Sequence, residues 1–245
     1  MLENKLMATV TGELFHPTRI HYELYDKDRL QKLFSLQTFM RYDGTVDRWV
    51  WLYTGRAKKL TFKTPWKKIQ KHLHPIVIGS FFQRATGVMF LEMRSIERTV
   101  EAISFFDRII PRKVARVTDI SIVNRLFDVT SDLQELSSPL DHLFANETKI
   151  DPEAKLADLR KRVAAGEAVQ VAPSDIVPMI WKGDDQSIPE VERFPAHYYE
   201  DGIAQIQVTL QMRQRLALEH WKGNKALSLN DIIRLMTDSR VGGPT

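Results

Sequence analysis

Residues 75–111 read PIVIGSFFQRATGVMFLEMRSIERTVEAISFFDRIIP, and this stretch does most to limit what the chain can become. Two strongly apolar runs flanking a turn near Arg84–Gly87 predict a pair of antiparallel strands. Immediately afterwards Ser95 stands where an N-cap is needed, and Glu97 falls in the first helical turn. Ile96, Val100, Ile103, Phe106 and Ile110 then form one helical stripe, which Pro111 ends. A hairpin followed at once by an amphipathic helix must bury both apolar surfaces, and packing the helix on the sheet does so.

The same theme precedes and follows it. IHYELY at 20–25 is rich in β-formers, and the helix expected over DKDRLQKLFSL at 26–36 takes Asp26 as its cap and Leu30, Leu33 and Phe34 as its buried face. TFMRYDGTVDRWVWLYTG at 38–55 predicts a hairpin about Asp43–Gly44, AKKLTFK at 57–63 a further strand, and KVARVTDIS at 113–121 another. The fold class expected is α+β: a mainly antiparallel sheet with helices packed on one face, with ferredoxin-like halves as one arrangement that fits.

Near Phe127 the texture turns to Ser, Asp and Asn. The division expected is a sheet domain over 1–127, an acidic connection with one helix over 128–198, and a smaller, more helical region over 199–245 that packs back on the sheet. Asp151-Pro152 starts the helix of the connection, Leu156, Leu159 and Val163 give its buried side, and Gly166 its end. WKGDDQSIPEVERFP at 181–195 reads as an acidic loop. AQIQVTLQM alternates, with Ala204, Ile206, Val208, Leu210 and Met212 on one side, which favours a strand over 203–213. The rival is a helix from about residue 199 to Trp221 through Ile203, Ile206, Leu210 and Ala217. SLND at 228–231 resembles a capping box opening a last helix.

With 245 residues and 43% hydrophobic content the chain can bury a proper core. The absence of cysteine excludes disulfides, thiolate metal sites and a cysteine nucleophile, and fits a reducing compartment. MLENKLMATV lacks the apolar stretch of a signal peptide, and no apolar run approaches the roughly 20 residues of a membrane helix. The expectation is a cytoplasmic protein without a membrane partner. No P-loop, GxGxxG, GxSxG or HExxH pattern occurs, so no cofactor or metal is expected and a binding protein is favoured over an enzyme.

The charge is uneven. Between Asp47 and Glu92 lie 44 residues without an acid and with nine basic side chains: Arg48, Arg56, Lys58, Lys59, Lys63, Lys67, Lys68, Lys71 and Arg84. From Asp128 to Glu200 there are 15 acidic residues against seven basic. A groove for single-stranded nucleic acid combines cations with flat rings, and Trp49, Trp51 and Tyr53 alternate along one strand, with Phe62 and Trp66 following. The reading is a nucleic-acid-binding protein, for RNA or single-stranded DNA, or a subunit of a nucleoprotein complex. Its site is the nine cations with Trp66, the ring expected to be most exposed.

Three alternatives stand beside it. The rings can be core, since Val50 and Leu52 make the same strand apolar on both faces. The cations can dock an acidic protein, or the chain's own acidic region, or guard an edge strand. Finally, His72 and His74, two apart, would face the same way on an extended segment and could act as acid and base in a metal-independent ribonuclease.

Overall fold

The computed structural model describes residues 5–84, 87–129, 139–151 and 188–241, together with Ala154, Ala157, Lys161 and Ala164. Its central strand comes early in the chain. β1 (Thr18–Leu24) turns Ile20, Tyr22 and Leu24 into the main core, while Arg19, His21 and Glu23 alternate to the other face. Seven further strands join it: β2 (Met40–Asp43), β3 (Arg48–Leu52), β4 (Val77–Gln83), β5 (Val88–Met93), β6 (Ala115–Val123), β7 (Thr148–Lys149) and β8 (Val191–Pro195). They form one sheet in the order β2-β3-β4-β5-β1-β6-β8-β7, antiparallel throughout except for β7 beside β8. The fold is the α+β class expected, and strands from both sides of residue 128 lie in the same sheet.

Two helices cover one face. α1 (Lys27–Ser35) begins where Asp26 accepts from the N–H of Arg29 at 2.9 Å, and α2 (Ile96–Asp107) where Ser95 accepts from the N–H of Arg98. Phe34 of α1 and Phe106 of α2 both pack on Phe81 of β4, with ring centroids 4.8 Å apart in each case. The chain order β1-α1-β4-β5-α2-β6 with the spatial order β4-β5-β1-β6 is a single ferredoxin-like core, not two halves. Hairpin β2–β3 and the connection after it are inserted between α1 and β4.

Three local expectations are corrected. Residues 203–213 belong to a helix, α3 (Tyr198–Trp221), which packs against α2. Ile206, Leu210, Leu216 and Ala217 are its buried apolar positions, a helical spacing that continues past the point where the alternation stops. AKKLTFK is not a strand: a 3-10 turn spans Gly55–Lys59, because β3 already has β2 on one side and β4 on the other. Within the supposed acidic loop, Val191–Pro195 is strand β8, paired with β6.

Two features hold as expected. The N–H of Ala154 bonds the carboxylate of Asp151, as a cap requires, whereas Leu156, Leu159, Val163 and Gly166 lie outside the described residues. Ser228 and Asp231 exchange backbone-to-side-chain bonds at the start of α4 (Leu229–Val241), which packs Leu229 and Ile232 with Leu216 of α3.

Candidate polyanion interface

The connection from Tyr53 to Ile76 is held down by its own apolar residues. Tyr53, Ala57, Phe62, Ile69 and Ile76 are all buried in the main core. The Tyr53 hydroxyl donates to the carbonyl of Leu60 at 2.9 Å, and its ring meets Phe62 edge-on at 5.1 Å. Between these anchors the chain makes three short 3-10 turns, at Gly55–Lys59, Trp66–Lys68 and Lys71–Leu73.

A second fastening comes from the N-terminal segment. The Thr64 N–H donates to the carbonyl of Thr11 at 2.7 Å, and the Lys63 N–H donates to Glu13 Oε1 at 2.9 Å. Glu13 is buried, accepts from the hydroxyls of Thr9 and Thr11, and faces Arg98 Nε of α2 at 3.6 Å. Burial raises the Glu13 pKa, but the hydroxyls of Thr11 and Thr9, the Lys63 N–H and the Arg98 charge outweigh it, and the net shift is downward. Arg98 also donates to Thr11 and to the carbonyls of Val77 and Ile78, so one buried guanidinium joins α2, the N-terminal segment and the start of β4.

With the inward positions taken by apolar groups, the cations point out. Arg56, Lys58, Lys59, Lys63, Lys67, Lys68 and Lys71 are all exposed, and none has a carboxylate partner among the described residues. Seven of the sequence-predicted cations thus stand exposed on one connection, whose apolar residues are packed in the core.

Arg48 and Arg84 lie elsewhere. Arg48 pairs with Asp43 across the β2–β3 hairpin at 3.1 Å, and Arg84 pairs with Asp141 at 2.5 Å. The carboxylate of Asp141 also takes Arg19, which pairs in turn with Glu92 and lies over the rings of Phe90 and Phe144 at 4.2 and 4.3 Å. Beside it His21 Nε2 lies 2.6 Å from Ser121 Oγ, Ser121 donates to Glu147, and Arg193 pairs with Asp119 at 2.8 Å and Glu147 at 3.7 Å. Burial first, then Arg193, pushes the His21 pKa down to about 3. The face of the sheet opposite the helices thus carries its own acids.

The rings are not a platform. Trp51 and Tyr53 are fully buried and Phe62 nearly so, while Trp49 packs on Phe34 and Tyr42 at 5.6 and 5.3 Å. Trp66 is only half-buried, but the ammonium of Lys58 sits 3.7 Å from its ring centre, and His74 meets it edge-on at 4.9 Å. The extended geometry expected for the two histidines is absent: the turn at Lys71–Leu73 leaves His72 exposed and sets His74 against Trp66 and the carbonyl of Ile69.

Sequence reasoning missed Glu13 and Arg98, the pair that fastens the connection; nothing local marks residues so far apart as partners. Among the described residues no group of three or more His, Asp or Glu side chains could hold a metal ion, and no helix is long and apolar enough to cross a membrane. No family model, curated protein or solved structure matches the chain.

Proposed function

We propose that this protein binds nucleic acid through the phosphate backbone, using Arg56, Lys58, Lys59, Lys63, Lys67, Lys68 and Lys71. One observation carries the reading: these seven cations stand exposed and without a carboxylate partner among the described residues, on a connection tied down by core residues and by a buried ion pair. Mutual repulsion among them is relieved by a partner of high negative charge density. Asp141 and Glu147, from the acidic part of the chain, serve the opposite face of the sheet, which supports an external partner.

The rings refine the reading. Since Trp51, Tyr53 and Phe62 are buried, Trp49 packs on Phe34 and Tyr42, and Lys58 caps Trp66, affinity rests on phosphate contacts and little on base stacking. Binding of this kind is insensitive to sequence and steeply dependent on salt. The placement of His74 against Trp66 favours binding over cleavage, because acid–base attack on a phosphodiester needs two rings free to flank it.

The test is titration of mixed-sequence duplex and single-stranded oligonucleotides with the parent chain and with a Lys63→Glu, Lys67→Glu, Lys68→Glu variant at several salt concentrations. The variant is expected to bind about ten-fold or more weakly, with the salt slope reduced by about two to three, since each phosphate contact contributes roughly 0.7–0.9. Equal binding by parent and variant at equal salt would sink the proposal.

A further inference from the structure

Among the described residues, the hairpin that brings β2 into the sheet leaves one edge of it open. β2 is the terminal strand on that side. The carbonyl of Phe39 accepts from the N–H of Leu52 at 2.8 Å, so the backbone of Phe39 faces β3. Because backbone direction alternates along a strand, Arg41 and Asp43 also face β3, and Met40 and Tyr42 face outward. The Met40 N–H is taken by the carbonyl of Gln37 at 3.1 Å, which leaves the N–H and C=O of Tyr42 and the C=O of Met40 as the free edge.

We propose that a second copy of this chain docks on this edge, β2 against β2, about a two-fold axis through Tyr42. An isologous contact must be complementary to itself, and the pairing rules restrict it to registers that set outward residues opposite each other. Pairing Met40 with Tyr42 sets Arg41 against Arg41. Pairing Tyr42 with Gly44 sets Asp43 against Asp43. The register with Tyr42 opposite Tyr42 sets Arg41 of each copy against Asp43 of the other, at non-hydrogen-bonded positions where side chains approach most closely. Arg41 is exposed and has no carboxylate partner among the described residues, so it is available for that contact.

The apolar surface agrees. Leu36, Tyr42 and Val46 are among the large hydrophobic side chains the fold leaves in solvent, at 78%, 50% and 40% exposure; Tyr42 lies in β2, and Leu36 and Val46 flank it in the chain. Continued one step past the strand, the same register carries Val46 of one copy towards Thr38 of the other, beside Leu36. The two Tyr42 rings meet on the helix-covered side, above the groove that Gln31, Lys32 and Ser35 of α1 form with Trp49. A strand of four residues makes a small contact, so the dimer is a weak one whose population depends on concentration.

Sedimentation velocity on the full chain, from low to high concentration, is the test. The expected result is a mass that rises from 28.4 kDa towards twice that value. Arg41→Asp sets like charges against Asp43 and is expected to weaken association about ten-fold or more. Tyr42→Pro removes the outward N–H while sparing the bonds to β3, a change edge strands tolerate, and is expected to stay monomeric with an unchanged circular dichroism spectrum. Should Tyr42→Pro fail to fold, Arg41→Asp decides alone. A parent chain monomeric at every concentration overturns the proposal, and so does dimerisation of a folded variant at the parent's concentration. The Lys63, Lys67, Lys68 reversal is expected to dimerise like the parent, which keeps this test separate from that of nucleic-acid binding.

Discussion

On the face of the sheet opposite the helices, Arg19, Arg48, Arg84 and Arg193 each rest against a carboxylate, and Arg19 also lies between two phenyl rings. On the Tyr53–Ile76 connection the cations are nearly all lysine, and the contact made by Lys58 is to an indole. The difference follows from the two side chains. A planar guanidinium keeps several directional bonds while it is desolvated, whereas an ammonium on a flexible stem keeps its hydration shell and is best left in water. One region spends its charge internally; the other holds it available. A count of basic residues along the sequence cannot make that distinction.

The largest effect is expected where the connection is fastened to the rest of the fold. Arg98→Met leaves Glu13 buried without its guanidinium and is expected to cost about 3–5 kcal/mol in urea unfolding. Any such variant that remains folded should also bind nucleic acid less well with every lysine intact, because the Lys63 fastening depends on Glu13. Next, Arg19→Met strips Glu92 and Asp141 of a shared partner and is expected to cost about 2–3 kcal/mol, with nucleic-acid affinity unchanged.

Acid should separate the regions further. Burial holds His16 near a pKa of about 4, and burial with Arg193 holds His21 near about 3, both below the ordinary 6.5. The unfolded chain therefore takes up protons that the folded chain refuses. Stability is complete above pH 6.5 and falls as the pH drops towards 4 and 3. At pH 5 each histidine is expected to cost on the order of 2 kcal/mol, read as a shift in the urea midpoint. The smallest effect on stability belongs to the Lys63, Lys67, Lys68 reversal. Its unfolding midpoint should match that of the parent, and a substantial drop would show that these lysines support the fold.

Much of the fold was legible because its signals are local: the caps at Asp26 and Ser95, the stripe along α2, and the hairpin at Asp43–Gly44 each lie within one element. What was misread needed distant partners. VERFP looks like a loop because of its charges, but Glu192 is buried against Arg213 of α3, which no nearby residue announces. AKKLTFK has the composition of a strand, but β3, the strand it follows, is already paired on both sides. In AQIQVTLQM nine residues fit both periods, and only the longer stretch to Trp221 separates them. For the site, the lysines were visible. The acid-free window also counted Arg48 and Arg84, whose partners, Asp43 and Asp141, lie outside it.

The position of β1 has a consequence for how the molecule comes into being. It leaves the ribosome first among the strands, yet Thr18 pairs with Met93 on one side and Ile122 on the other. A nascent chain must therefore carry its future middle strand unpaired, Ile20 and Tyr22 included, until most of the first half has been translated. Pairings this remote slow folding and prolong the interval in which an apolar strand stands open to the wrong neighbour. Pauses in translation before residue 122 should thus lower the yield of native protein more than pauses after it.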